Sequence, residues 1–297
     1  MAKTFFLTQS TALSLVIVIC LIFLSFGIYY SKNYRGLKNY LTANRNIGFL
    51  SLTTSLTASA LGAWILFGPA SAATWGGLGA IIGYSLGTAF PMFFFIYLGK
   101  KIRKEFPQGS TLIEFLRKKF GKSLFKLILL MTIFYMFIFL CAEVTAVAVL
   151  INYISGTELW LTALIVLLCT LTYTLYGGLK ASILTDNIQM FVIGFLLLIS
   201  LIYILSFTGT KFSFDFVKEK NSHLLSGSYL PGYTSGLTFF IAVAATNLFH
   251  QGNWQRIYAA KDYKTLKKSL ILSFLIIVPV VFFMGFTGLV AFSLNSS

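Results

Sequence analysis

The chain has 297 residues, of which 57% are hydrophobic and only 10% charged, with a mean hydropathy of +0.84. A soluble domain carries about 25% charged residues, so this composition excludes a water-soluble globular fold and points to the membrane class. The formal charge of +15 does not indicate a nucleic-acid partner, because the Lys and Arg residues sit in short segments between long apolar runs, as in membrane topology.

A helix that crosses the bilayer needs about 20 apolar residues. That rule predicts an all-α polytopic membrane protein with about eight transmembrane helices, at residues 11–30, 48–73, 78–99, 126–152, 159–178, 187–208, 234–252 and 270–293. The first apolar run is too long for a signal-peptide core and reads as an uncleaved helix. The stretch from Asn46 to Gly99 has no charged residue and is too long for one helix; Trp75-Gly76-Gly77 supplies the turn that divides it. Residues 100–125 form a basic loop. Within it Ser110 to Phe120 read as a short amphipathic helix with its basic face against anionic membrane lipid. Residues 209–233 read as a polar, turn-rich loop, with Gly209, Gly227, Pro231 and Gly232.

All but four of the 23 basic residues fall in the loops 31–46, 100–126, 178–187 and 252–268; the exceptions are Lys3, Lys211, Lys218 and Lys220. The positive loops are expected in the cytoplasm, which places the N-terminus outside an integral protein of the cell membrane. Cys20, Cys141 and Cys169 each lie inside an apolar run without a partner at metal-site spacing, and read as packing residues.

Two spans are too polar for lipid. One runs from Ser51 through Gly62 to Trp64; the other begins Thr234-Ser235-Gly236 and ends Asn247 to Trp254. Irregular backbone at membrane depth survives only where it lines a cavity or packs in protein. The two spans are five crossings apart, and an odd offset inverts the second copy. Paired broken helices in inverted repeats mark the site of a secondary transporter; small residues that let helices pack closely are the other reading. Glu143, deep in the fourth span, is a functional candidate or a hydrogen-bonded structural acid. Asp186 opens the sixth span, where an aspartate reads as a helix cap. His250 is a structural residue or a ligand. No Walker loop, nucleophile elbow or His/Glu metal helix is found, so no enzyme is expected.

Three segments carry a family resemblance: Tyr176-Gly177-Gly178 followed by Thr185-Asp186-Asn187-Ile188-Gln189, Ser55 to Trp64, and Gln255-Arg256 followed by Ala259-Ala260. Together they resemble the sodium:solute symporter family. The resemblance implies one transmembrane symporter domain over residues 1–297 with a LeuT-like inverted-repeat bundle. In it 11–30 is a leading helix, 48–208 the first five-helix repeat and 234–293 the first two helices of a truncated second repeat. The implied activity is sodium-coupled import of a small polar solute by alternating access, with the sodium ion as coupling ion and no cofactor or other metal.

By the same resemblance sodium meets the backbone carbonyls of Ala58 and Leu61 and leaves past Asp186. The solute meets Thr57, Ser59, Trp64, Glu143, Asn247, His250 and Gln251. Ala60, Trp64 and Ile65 stand where sugar carriers place polar groups, which disfavours a sugar. Family members continue through a further helix whose hydroxyls complete the sodium site, so a C-terminal symporter half is an implied partner. The alternatives are a substrate-sensing membrane module of a signalling system and a non-functional truncated symporter.

Overall fold

The computed structural model describes residues 5–32, 36–208 and 214–295. Lys3, Arg35, Gly209 and Lys211, which entered the charge and turn readings, lie outside them. Helix α1 (Gln9–Ser31) is capped by the Thr8 hydroxyl, which accepts the Thr11 N–H. It lies along α8 (Leu159–Thr208): Gly27 meets Tyr173, and Cys169 Sγ reaches the Cys20 carbonyl oxygen at 3.2 Å.

After α2 (Leu37–Thr42), helix α3 (Phe49–Ala60) stops in mid-crossing. Leu61 leaves the helix with φ −104 and ψ 68, Gly62 is extended, and the chain resumes as a 3-10 turn (Ala63–Leu66) before α4 (Gly68–Ala89). The run of Ser, Thr, Ala and Gly supplies little apolar surface to hold a continuous rod in lipid, and the unwound helix expected from it is present. Within α4, Gly77 has φ 56 and ψ −149, a backbone that only glycine adopts without strain. Gly68 lies against Tyr84, and the two residues are equidistant from Gly76, so the chain doubles back here. The Trp75-Gly76-Gly77 turn is therefore where the sequence placed it. Helix α5 (Pro91–Glu105) continues α4 across Phe90, itself in helical geometry.

Helix α6 (Leu112–Lys119) has a capping box: Thr111 Oγ1 accepts the Glu114 N–H, and Glu114 Oε2 accepts the Ser110 N–H. It matches the amphipathic segment expected in the basic loop. Helix α7 (Lys122–Ser155) ends at Gly156 in the left-handed region. Gly178 breaks α8 with φ 59 and ψ −153, nearly the geometry of Gly77. Tyr173 and Asp186, on either side of it, line one cavity, and Thr170 and Gln189 line another, so the two halves run side by side. The helix resumes directly after Gly178. Asp186 is thus inside a helix and does not cap one, and the sixth span starts earlier than residue 187.

A second correction concerns residues 209–233. Helix α9 (Phe214–Leu225) occupies much of that expected loop, and its Val217 and Leu224 are buried against Ala73, Ile81 and Leu289. Helix α10 (Leu230–Phe249) has Pro231 in its first turn and is followed by His250, whose ψ of 111 separates it from α11 (Gln251–Ala259). Helix α12 (Tyr263–Asn295) follows.

Among the described residues six segments are long and apolar enough to cross a membrane: Gln9–Tyr29, Gly68–Glu105, Lys122–Ser155, Leu159–Ser200, Leu230–Phe249 and Tyr263–Phe292. The second and fourth are the ones that turn at Gly77 and Gly178. The protein is an integral membrane protein, almost wholly helical.

The inner packing joins α4 to α10 and α12. Gly79 and Gly83 face the backbone of Gly232 and Gly236 with no side chain between them, the close approach that small residues permit in membranes. Leu52, Leu56, Phe95, Trp254, Ile257 and Leu270 form the core among α3, α5, α11 and α12. Ile47, ahead of α3, pairs with the end of α11: its N–H donates to the Ala259 carbonyl at 3.0 Å, and the Lys261 N–H donates back to it at 3.1 Å. Met131, Phe134, Phe191 and Phe195 on α7 and α8 are exposed, as lipid-facing side chains are.

Candidate functional site

The site grows from the interruption after α3. Helix α7 brings Glu143 to it, and the missing side chain of Gly62 makes room. A Cβ on Gly62 would stand 1.8 Å from Glu143 Oε1. Glu143 Oε2 accepts the Ala63 N–H at 2.6 Å, satisfying a donor that the broken helix leaves free. Glu143 Oε1 is buried without a hydrogen-bond partner among the described residues.

Two cavities, of about 600 and 780 Å³, share a wall made by Ala58, Gly62, Leu140 and Glu143. The first reaches Tyr40 and Gly178, at the end of the molecule that carries α2. The second reaches Leu66, Ser200 and Thr287, at the opposite end. Glu143 therefore stands on a partition at the broken helix.

In the first cavity Asp186 is held by two groups. Arg256 Nη2 donates to Asp186 Oδ2 at 2.6 Å, and Ser55 Oγ donates to the same oxygen at 2.5 Å. Arg256 Nε donates to Ser55 Oγ at 2.6 Å, and Nη1 donates to the Gly252 carbonyl. One residue on, the Asn187 amide bonds the Ser51 and Thr54 hydroxyls at 2.7 and 2.5 Å. His250 occupies the second interruption, between α10 and α11, with its ring edge-on to Phe139 at 5.1 Å. His250 Nδ1 and Gln251 Oε1 are buried without hydrogen-bond partners among the described residues.

Of the residues expected from sequence, Ala58, Ser59, Glu143, Asp186, His250 and Gln251 share the first cavity. Leu61 lines the second together with Ala58 and Glu143. Three are placed elsewhere. Thr57 is fully buried and lines neither cavity. Trp64 stacks on Tyr84 with ring centroids 5.4 Å apart. Asn247 turns its amide to the Val243 carbonyl, and its own carbonyl accepts from Asn253, which shapes the bend after α10. Sequence reasoning passed over Tyr173, Ser182 and Arg256 as site residues, although all three line the first cavity. Arg256 stood in a quoted motif, and a cation so close to a span end signals an acidic partner.

The sequence profile of the sodium:solute symporter family matches residues 40–296. The chain belongs to the sodium:solute symporter family. Among its relatives, a spermidine transporter of Candida albicans is 27% identical over 90% of this chain and 50% of its own length. A sodium/proline symporter of Haemophilus influenzae is 30% identical over 81% of this chain and 49% of its own. A sodium/glucose cotransporter of Vibrio parahaemolyticus is 25% identical over 93% and 54%. The chain thus spans about half the length of the curated relatives it matches, and these symporter-family relatives are transporters, not enzymes. A Na+-coupled sialic acid symporter in a substrate-bound outward-open state has the same fold, with a TM-score of 0.70 at 17% identity over 95% of this chain and 60% of that one.

Proposed function

We propose that the protein couples sodium entry to import of a small polar solute by alternating access, with the partition at Gly62–Glu143 as the barrier between two vestibules. The observation that carries this reading is the interruption of α3 where the two cavities meet. A symporter must expose one site to each side in turn, and backbone carbonyls freed by a broken helix are hard oxygen ligands suited to sodium. In this reading the Ala58 and Leu61 carbonyls meet the ion, and Asp186 lies on its path to the cytoplasm. Further sodium ligands come from a C-terminal symporter half.

Ser59, Glu143, His250 and Gln251 surround the solute. The relatives carry solutes as unlike as spermidine, proline and glucose, so the solute is argued from the site and not from them. The first cavity faces the cytoplasm and the N-terminus lies outside, following the basic loops.

The test is uptake of labelled solutes into vesicles that carry the whole protein, with and without an imposed inward sodium gradient. Uptake that ignores the gradient overturns the reading. Sidedness is tested by a single cysteine at Lys118 or Glu158. Only the first is expected to react with an impermeant thiol reagent added from the cytoplasmic side.

A further inference from the structure

We propose that Glu143 determines specificity at the solute site, and that the solute it selects carries a positively charged nitrogen, an ammonium or a guanidinium group. This rests on the transport reading above and names the chemical class of its solute.

The first argument is charge balance. Among the described residues, the charged side chains lining the first cavity are Glu143, Asp186 and Arg256, and the second cavity has Glu143 alone. Asp186 and Arg256 neutralise one another at 2.6 Å. With histidine neutral and the Glu143 carboxyl ionised, each cavity is left with one negative charge, and it is the same one. An ionisable group at membrane depth is costly unless a partner of opposite sign meets it.

The second argument is hydrogen bonding. Three residues that line the first cavity each carry a polar side-chain atom that is buried and without a partner among the described residues: Glu143 Oε1, Gln251 Oε1 and His250 Nδ1. The oxygen of an ionised Glu143 and the amide oxygen of Gln251 only accept, and His250 Nδ1 accepts in the Nε2–H tautomer. A buried acceptor left unsatisfied costs the desolvation of that atom, so the complementary ligand is rich in donors and poor in acceptors. Ammonium has three N–H donors and guanidinium five, and neither has an acceptor. A carboxylate or phosphate solute would set acceptor against acceptor.

The third argument is position. The Ala63 N–H holds Oε2, and the Gly62 notch receives Oε1, the oxygen that no donor among the described residues meets. Glu143 thereby addresses the broken helix and the solute at the same time. A cation bound to Oε1 sits on the partition itself, where a symporter needs its cargo.

The experiment compares near-isosteric pairs of charged and neutral probes on the purified full chain in lipid nanodiscs. Guanidinium is set against urea, and putrescine against butanediol. A charge-assisted hydrogen bond exceeds a neutral one enough that the charged member of each pair is expected to bind on the order of ten- to a hundredfold tighter. Glu143→Gln is expected to abolish that preference, and Glu143→Asp, which keeps the charge on a shorter stem, to retain it at lower affinity. A neutral member that binds as tightly as its cation, a preference that survives in Glu143→Gln, or no saturable binding of either cation overturns the inference.

Failure of the transport reading looks different. Cation binding that needs Glu143, without uptake driven by a sodium gradient, removes the transport reading and leaves the specificity of Glu143 standing. Gradient-driven uptake of an uncharged solute by parent and Glu143→Gln alike does the reverse.

Discussion

Arg256 Nη2 lies 2.6 Å from Asp186 Oδ2, and Ser55 bonds both side chains, so that α3, α8 and α11 are tied at one end of the first cavity. The side chains of Arg256 and Asp186 are only 8% and 13% exposed, so neither charge is left to water. Removing one partner of such a pair strands the other and costs about 3–5 kcal/mol, whereas replacing both together is far cheaper. Arg256→Gln is expected to lower stability by about 3 kcal/mol, and the double variant Asp186→Asn with Arg256→Gln to regain most of the loss. Thermal unfolding in detergent gives the comparison. A double variant as unstable as the single one would assign the loss to packing and not to the stranded charge.

Asp186 also separates movement from binding. It lines the first cavity but lies apart from the Glu143 partition, on the Arg256 side. In the transport reading it touches sodium as the ion leaves. Asp186→Asn is therefore expected to slow sodium-driven uptake by about tenfold, the scale of one charge-assisted hydrogen bond, with a smaller effect on solute affinity. Equal losses in the two measurements would contradict a place on the sodium path.

At the partition, Gly62→Ala puts a methyl group where the Glu143 carboxylate now sits, 1.8 Å from Oε1. The carboxylate must leave, and the Ala63 N–H loses its acceptor. Overpacking of this kind costs about 1–3 kcal/mol. Sodium-driven uptake is expected to be lost with it. Adding Glu143→Ala removes the clash, so the double variant should regain stability but not uptake. A double-mutant cycle of unfolding free energies measures the coupling; additive losses would mean that the two residues do not share the notch.

The turn at Gly77 was legible because a Gly-Gly pair stands there between apolar runs, and glycine takes without strain the backbone that Gly77 and Gly178 share. The interruptions after α3 and α10 were legible for a related reason: Ser, Thr, Gly and amide side chains stood where lipid favours Leu and Val. Asp186 was misplaced because Lys180, Ser182, Thr185 and Asp186 make a polar stretch that resembles a loop. Ser182 and Asp186 face a cavity from the helix that resumes after Gly178, and hydropathy cannot tell a cavity from water. The Arg256 partnership escaped because its members are distant in sequence and neither has a local signature. Trp64 was drawn into the site by its motif, while its ring answers to Tyr84. Helix α9 escaped because its polar residues outweigh Val217 and Leu224, the two that the bundle buries.

Two glycines in helices should respond with opposite signs. A Cβ on Gly83 would lie 2.0 Å from the Gly236 carbonyl oxygen, against backbone that cannot rotate away, while a Cβ on Gly194 meets nothing within 4 Å. Gly83→Ala is expected to destabilise by about 1–3 kcal/mol by forcing α4 from α10. Gly194→Ala is expected to be neutral or to stabilise by up to about 1 kcal/mol, since alanine is the better helix former. Melting temperatures of the two variants decide it, and a harmless Gly83→Ala would mean that the two helices are not in contact.

Outside the spans, Asp262 Oδ1 accepts the Thr265 N–H at 2.7 Å at the start of α12. That backbone hydrogen bond favours the ionised carboxyl and holds it below the usual aspartate range. A carboxyl depressed in the folded state stabilises the fold above its unfolded pKa of about 3.9, and the contribution is lost as pH falls through the folded value. Asp262→Ala is therefore expected to melt below the parent at neutral pH, with the gap closing as the pH is taken below about 4. Asp262→Asn keeps an acceptor for the Thr265 N–H and should lie between them at neutral pH, since it loses only the charge. A gap between parent and Asp262→Ala that stays constant across the acid limb would mean that the side chain acts at this turn without its ionisation.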